Sequence, residues 1–151
     1  MPKFEPKDPE FEAKVRESFG KQTAMQSLGA VIYRVKPGEV EIEMPYRADF
    51  TQQHGFVHGG IVTAIVDSAC GYAALSLSAP GTAVLTVEYK VNFVAPAKGE
   101  RLLARGEVVR PGSTVTVCKG DVVTYDGGDE KLVASMLTTM MLMPNRADLA
   151  G

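Results

Sequence analysis

The stretch Gln52–Leu77, QQHGFVHGGIVTAIVDSACGYAALSL, decides how this chain folds. It opens polar and passes through His58-Gly59-Gly60. Ile61, Ala64, Ile65, Ser68, Ala69 and Tyr72 then recur at helical spacing, which predicts a long helix opened by Gly59-Gly60 and ended by Ala79-Pro80-Gly81. The helix carries a single carboxylate, Asp67. Such a group is costly in an apolar helix unless it is paired or solvated, so Asp67 needs a reason. The stretch is also the only transmembrane candidate, but Asp67 and the interspersed Thr, Ser and Gly mark it as a buried core helix. Its small residues, Gly71 included, suit close approach of a sheet or a partner helix.

Strand-like segments surround this helix. Ala30–Val35 and Val40–Met44, joined by Lys36-Pro37-Gly38-Glu39, read as a hairpin with one wet face. After the helix come Ala83–Val94, Arg101–Arg110, Thr114–Tyr125 and Leu132–Met143. Turn signals at Pro96–Gly99, Pro111-Gly112 and Asp126-Gly127-Gly128-Asp129 separate them. This second group reads as an antiparallel meander. At the N-terminus, residues 1–8 read as a mobile charged arm. Asp8-Pro9 reads as the start of a helix whose apolar stripe is Phe11, Val15 and Phe19, with Gly20 ending or bending it. A short helical turn holds Ala24, Met25 and Leu28. The fold class is α+β, with one antiparallel sheet wrapped around one long helix. The expected division is an arm and helix over residues 1–28 and the main domain over 29–151, together one structural unit.

Composition narrows the function. Of 151 residues, 45% are hydrophobic and 23% charged, which is ordinary for a globular domain. A net charge of −2 provides no global field for nucleic acid or an anionic membrane, so neither partner is expected. Met1–Pro6 has no apolar core of a secretory signal, and Cys70 and Cys118 have no metal or redox spacing. A cytoplasmic protein with two buried free thiols is expected. His54 and His58 are four apart, but the intervening Gly55 and the lack of a helical frame argue against a metal pair. Cys70 has no base beside it to make it a nucleophile. Met136, Met140, Met141 and Met143 read as core and interface filler.

Gln52-x-x-Gly55-x-x-His58-Gly59-Gly60, followed by Asp67 seven residues on, resembles the hotdog-fold acyl-CoA thioesterases of the phenylacetate-pathway (PaaI-like) group. The later run Asn92-Phe93-x-x-Pro96-Ala97-x-Gly99-Glu100 is similar to the strand that follows the central helix in that group. The resemblance spans roughly residues 29–143. It implies a hotdog fold, hydrolysis of acyl-CoA without metal or cofactor, and assembly as a homodimer or homotetramer. It further implies Asp67 as general base or nucleophile, the Gly59 N–H as binder of the thioester oxygen, and Thr86 as holder of the attacking water. The position that is often Asn in the group is Gln52 here. Where many relatives carry basic residues for the CoA phosphates, Ser113-Thr114 follow Gly112, leaving Arg110 nearby. Gly60, Tyr72 and Phe93 complete the expected substrate contacts, and His58 is expected to hold the loop by hydrogen bonds.

The chemistry suits these residues. Thioester hydrolysis develops negative charge on the carbonyl oxygen and needs an activated water or a nucleophile. A helix N-terminus supplies unpaired N–H groups and a positive dipole end. Gly59 and Asp67, however, are eight residues or about 12 Å apart on a regular helix. One helix cannot put both within about 3 Å of one carbonyl group. If both act, Gly59 of one subunit faces Asp67 of another, and the site requires a dimer. Two other functions compete. One is a hydratase or dehydratase of acyl thioesters using His58 with Asp67, and the other is a non-catalytic acyl-CoA-binding protein.

Overall fold

A computed structural model describes residues 3–149. Its elements are α1 (Phe11–Lys21), α2 (Thr23–Ser27), β1 (Val31–Lys36), β2 (Glu39–Pro45), a 3-10 turn at Ala48–Phe50, α3 (Gly59–Leu77), β3 (Ala83–Phe93), β4 (Arg101–Arg110), β5 (Val115–Asp126) and β6 (Asp129–Met143). All strand pairs are antiparallel, in the order β1-β2-β4-β5-β6-β3. The sheet wraps α3, as the hydrophobic pattern predicts. Val62, Ile65, Val66 and Ala69 of the helix are fully buried with Val40, Ile42, Leu102, Ala104 and Val122 of the sheet. Among the described residues α3 alone is long and apolar enough to cross a membrane, and most of it is enclosed by the sheet.

The second strand group is not a simple meander. β3 does not pair with β4, its successor in sequence; it crosses to the far edge and pairs with β6. The apolar pattern of β3 identified a strand but held no information about which neighbour it takes. Residues 3–8 also differ from the mobile arm that their composition suggests. The ring of Phe4 lies over Gly38, and Asp8 is buried beside Lys14, with Nζ to Oδ2 at 3.4 Å. Asp8 caps a turn ahead of the helix, its Oδ1 accepting from the Glu10 N–H at 2.9 Å, and α1 starts at Phe11. Gly20 does not end α1, which runs on to Lys21. Of the methionines, Met136 and Met140 are core, whereas Met141 faces outward.

What lets α3 sit so close to the sheet is a pair of facing glycines. Gly106 of β4 and Gly120 of β5 are cross-strand partners beneath Ala69 and Cys70. A Cβ on Gly106 would fall onto the backbone of those two helix residues, and one on Gly120 would lie 2.8 Å from the Cys70 sulfur. The close approach expected of the small helix residues is thus made by the sheet against Ala69–Cys70. Gly71 takes no part in it, having no neighbour within 4 Å of a Cβ position. Gly106→Ala is expected to destabilise the fold by on the order of 3 kcal/mol, because the obstruction is backbone and cannot rotate away. Gly20→Ala, at an open helical position, should instead stabilise by about 0.5–1 kcal/mol. Urea unfolding of both variants checks the contrast.

Candidate active site

The N-terminus and the C-terminal half of α3 build two separate clefts. At the N-terminal end His58 is the N-cap: its Nδ1 accepts the Gly60 N–H at 2.9 Å. The His58 carbonyl accepts from Ile61 at 2.9 Å and Val62 at 3.1 Å. Three of the first four helix N–H groups are therefore satisfied. The fourth, on Gly59, has no acceptor among the described residues. It stands at the positive end of the helix dipole, where it can take negative charge. Phe93 lies against Gly59 on its Cα side, where a Cβ would touch the ring at 3.0 Å. Gln52, Gly59 and Phe93 line this first cleft together.

Gln52 is partly committed elsewhere. Its Oε1 accepts from the N–H groups of His54 and, at 3.4 Å, Phe56, and its own N–H donates to the Phe56 carbonyl at 2.8 Å. It staples the loop that delivers His58 to the helix start. Gly60 serves the cap and does not line the cleft. Arg110 stands apart from both clefts, at the exposed end of β4 opposite Val117. Three strand spacings, about 14 Å, separate β4 from β3.

The second cleft lies two turns along α3. Thr86 Oγ1 donates to Asp67 Oδ1 at 2.8 Å, and both side chains line the cleft with Tyr72. Partial burial raises the Asp67 carboxyl above the ordinary aspartate value of 3.8, and the Thr86 bond offsets part of that rise. The other carboxylate oxygen has no protein partner among the described residues, which leaves a polarised acceptor facing the cleft. Cys70, on the next turn, is inert: burial pushes its thiol well up, and that of Cys118 to about 12.

Both clefts abut β3, and a bulge makes that possible. Thr86 and Phe93 are seven residues apart, so in a regular strand they would face opposite sides of the sheet. The register slips between Thr86 and Glu88, leaving Val87 as the extra residue. Beyond it, Tyr89, Val91 and Phe93 sit opposite the inward-facing Thr138, Met136 and Ala134, as Thr86 sits opposite inward-facing Met140. One bulge thus turns both site residues toward α3.

This arrangement has relatives. The thioesterase superfamily matches residues 54–131. The chain belongs to that superfamily. A thioesterase family protein from Silicibacter pomeroyi shares 51% identity, with a TM-score of 0.88 over 89% of this chain and 98% of that one. A protein of Saccharolobus solfataricus named as an esterase is 31% identical over 77% of this chain and 80% of its own length. Human acyl-coenzyme A thioesterase 13 is 31% identical over 65% of this chain and 69% of its own. The PaaI protein of E. coli shares the fold, with a TM-score of 0.81 at 21% identity. As a superfamily member the chain is a thioester hydrolase with the hotdog architecture.

Sequence reasoning did not reach the wall that faces Asp67. α1 and the residue that caps its C-terminus supply it, through Ser18 and Gln22. The one available signal was the polar spacing Lys14, Ser18, Gln22 on an otherwise amphipathic helix. Two measurements test the electrostatics. In Thr86→Val the Asp67 carboxyl should titrate at higher pH than in the wild type, followed by carboxyl-carbon NMR. Asp67→Asn should be more stable than wild type at neutral pH. A raised folded-state pKa means the folded protein holds the proton longer than the unfolded chain. Stability is therefore lost as pH rises through that value, and the amide removes the loss. Thermal melts across the acid range check it.

Proposed function

We propose that this protein hydrolyses acyl-CoA thioesters at a site shared by two copies of the chain, with Asp67 from one and the Gly59 N–H from the other. The observation that carries this is the separation of the two clefts along the uncovered edge of β3. That strand is 11 residues long and leaves Leu85, Val87 and Phe93 more than half exposed. A long apolar edge with free backbone groups is a template for another strand. Thr86 marks the Asp67 cleft and Phe93 the Gly59 cleft. Antiparallel pairing of β3 with its own copy, centred on Lys90, sets inward residues opposite inward ones (Tyr89 opposite Val91) and, with Val87 as the extra residue, brings Thr86 of each subunit opposite Phe93 of the other. Each of the two sites then receives one half from each subunit. On the outer sheet face the cross-strand row Leu85–Met141–Val115 is also exposed, which supports further pairing of dimers.

At such a site the carbonyl oxygen of the thioester accepts from the partner's Gly59 N–H. Water adds its oxygen to the carbonyl carbon as Asp67 takes its proton, and collapse of the intermediate breaks the C–S bond, with that proton passing to the CoA sulfur. In the other route Asp67 attacks, expels the thiolate and forms a mixed anhydride that water then cleaves. Thr86 orients the carboxylate in both, and His58 and Gln52 hold the helix start in place. The names of relatives such as acyl-coenzyme A thioesterase 13 support CoA as the thiol carrier.

Two variants and their mixture test this. Asp67→Asn should lower thiol release from acyl-CoA by about 10²–10⁴-fold. Compared with Gly59→Ala, which adds the same Cβ toward the Phe93 ring but keeps the N–H, Gly59→Pro reports on the N–H: Gly59 is the first helical residue, where proline is tolerated, and His58 is already extended at φ −57°, ψ 135°. It should cost about 10²–10³-fold. Unfolded and re-assembled together in equal amounts, the two variants should recover about a quarter of wild-type activity. Half the dimers are then mixed, and each mixed dimer has one intact site. No recovery, or a fully active monomer in sedimentation, would refute the shared site. Hydration of an enoyl-CoA without thiol release would point to a hydratase, and tight binding without turnover to a sensor.

A further inference from the structure

Gly71 is a glycine without a structural reason. It lies in the middle of α3, where glycine costs roughly 0.5–1 kcal/mol relative to alanine. Gly106 and Gly120 are explained by backbone or side chains that a Cβ would strike. Nothing lies within 4 Å of a Cβ on Gly71. The empty space is the cleft itself, a cavity of about 220 Å³ that begins at Asp67 and Thr86.

The cavity has a definite end. α1 lies antiparallel to the C-terminal half of α3 and is fixed there at three levels. Lys14 Nζ donates to the Ser78 carbonyl at 2.8 Å, Ser18 Oγ to the Tyr72 hydroxyl at 3.2 Å, and Ser68 Oγ to Gln22 Oε1 at 3.0 Å. Phe19 meets the Tyr72 ring edge-on, with centroids 5.9 Å apart. Gln22 stands at the level of Asp67, and the Ser18–Tyr72 pair lies five residues, about 7.5 Å, further along the helix. Two donors along this wall remain free. Ser18 already donates to Tyr72, which leaves the phenol proton free, and Gln22 has its oxygen engaged and its NH₂ group without a partner among the described residues. Burial keeps the phenol protonated.

We infer that Gly71 reserves the room for the acyl group and that Tyr72, set by Ser18, selects acyl groups bearing a neutral acceptor oxygen, hydroxyl or keto, near their far end. Long plain alkyl chains are excluded by α1. The inference rests on the acyl-CoA reading above and adds the class of acyl group to it.

The test compares plain acyl-CoAs from butanoyl to hexadecanoyl with the ω-hydroxyacyl-CoAs of the shorter lengths. The wild type should prefer a hydroxyacyl group over the plain chain of equal length by about tenfold in kcat/KM, the worth of one good hydrogen bond. In Tyr72→Phe that ratio should fall toward one. Gly71→Ala should melt higher than wild type yet raise KM, with the longest accepted chain shortened. Titrations with non-hydrolysable thioether analogues should give the same ranking, so selectivity is read even if no thiol is released. Loss of thiol release alone would count against the hydrolase reading. A wild type without hydroxyl preference, or variants that leave the ratio and the length limit unmoved, would overturn this one. A Gly71→Ala protein that melts lower than wild type would also overturn it, since the glycine would then have a structural role.

Discussion

The contact on which the rest of the molecule depends is the seating of α3 on Gly106 and Gly120. The two glycines face each other across β4 and β5, and the helix backbone at Ala69–Cys70 fills the space their missing side chains leave. Close seating at this point buries Val66 and Ile65 to either side and fixes the helix in rotation. Rotation is what matters for chemistry. It aims Asp67, two residues before Ala69, at the edge strand instead of into the core, where an ionised carboxylate would be untenable. The partial burial that remains is enough to raise its pKa and not enough to silence it.

A second constraint is parity. A strand alternates its side chains with period two, and the two halves of the site sit at positions of opposite parity on β3. The slip at Val87 reconciles them. The cost is a locally irregular ladder on a strand that already lacks a neighbour on one side. That combination of a bulged, apolar, uncovered edge with a half-site at each end makes little sense for an isolated chain and good sense for a strand that meets its own copy. The physics that leaves the edge sticky is the same physics that would complete the site.

The site also illustrates the tension between stability and use. Asp67 and Gly71 both weaken the helix that carries them, one by desolvation of its charge and the other by backbone entropy. Neither is compensated by a contact inside the chain equal to its cost. Core positions of the same helix, by contrast, such as Val62, Ile65, Val66 and Ala69, are fully buried. Residues that a purely structural account leaves unexplained therefore cluster in one cavity, and α1, held by Lys14, Ser18 and Gln22, closes it.

Much of this was legible in the amino-acid order. The helical spacing from Ile61 onward and the alternating strands around it dictate a sheet about a central helix, because burial of apolar faces leaves few other solutions. The lone carboxylate at Asp67, and the 12 Å that separates it from Gly59, follow from helix geometry alone. Local rules also anticipated that His58 holds the loop at the helix start by hydrogen bonds; that it does so as the N-cap came from the structure. Other features were decided only in three dimensions, because they depend on contacts between segments distant in sequence. The pairing of β3 with β6 instead of β4 is one, since an apolar strand does not encode its neighbour. The burial of Phe4 and Asp8, which composition reads as a loose arm, is another. The different meanings of Gly71, Gly106 and Gly120 are a third: a glycine is the same letter whether a backbone presses on it or nothing does, and only the surrounding atoms tell a packing notch from an empty chamber.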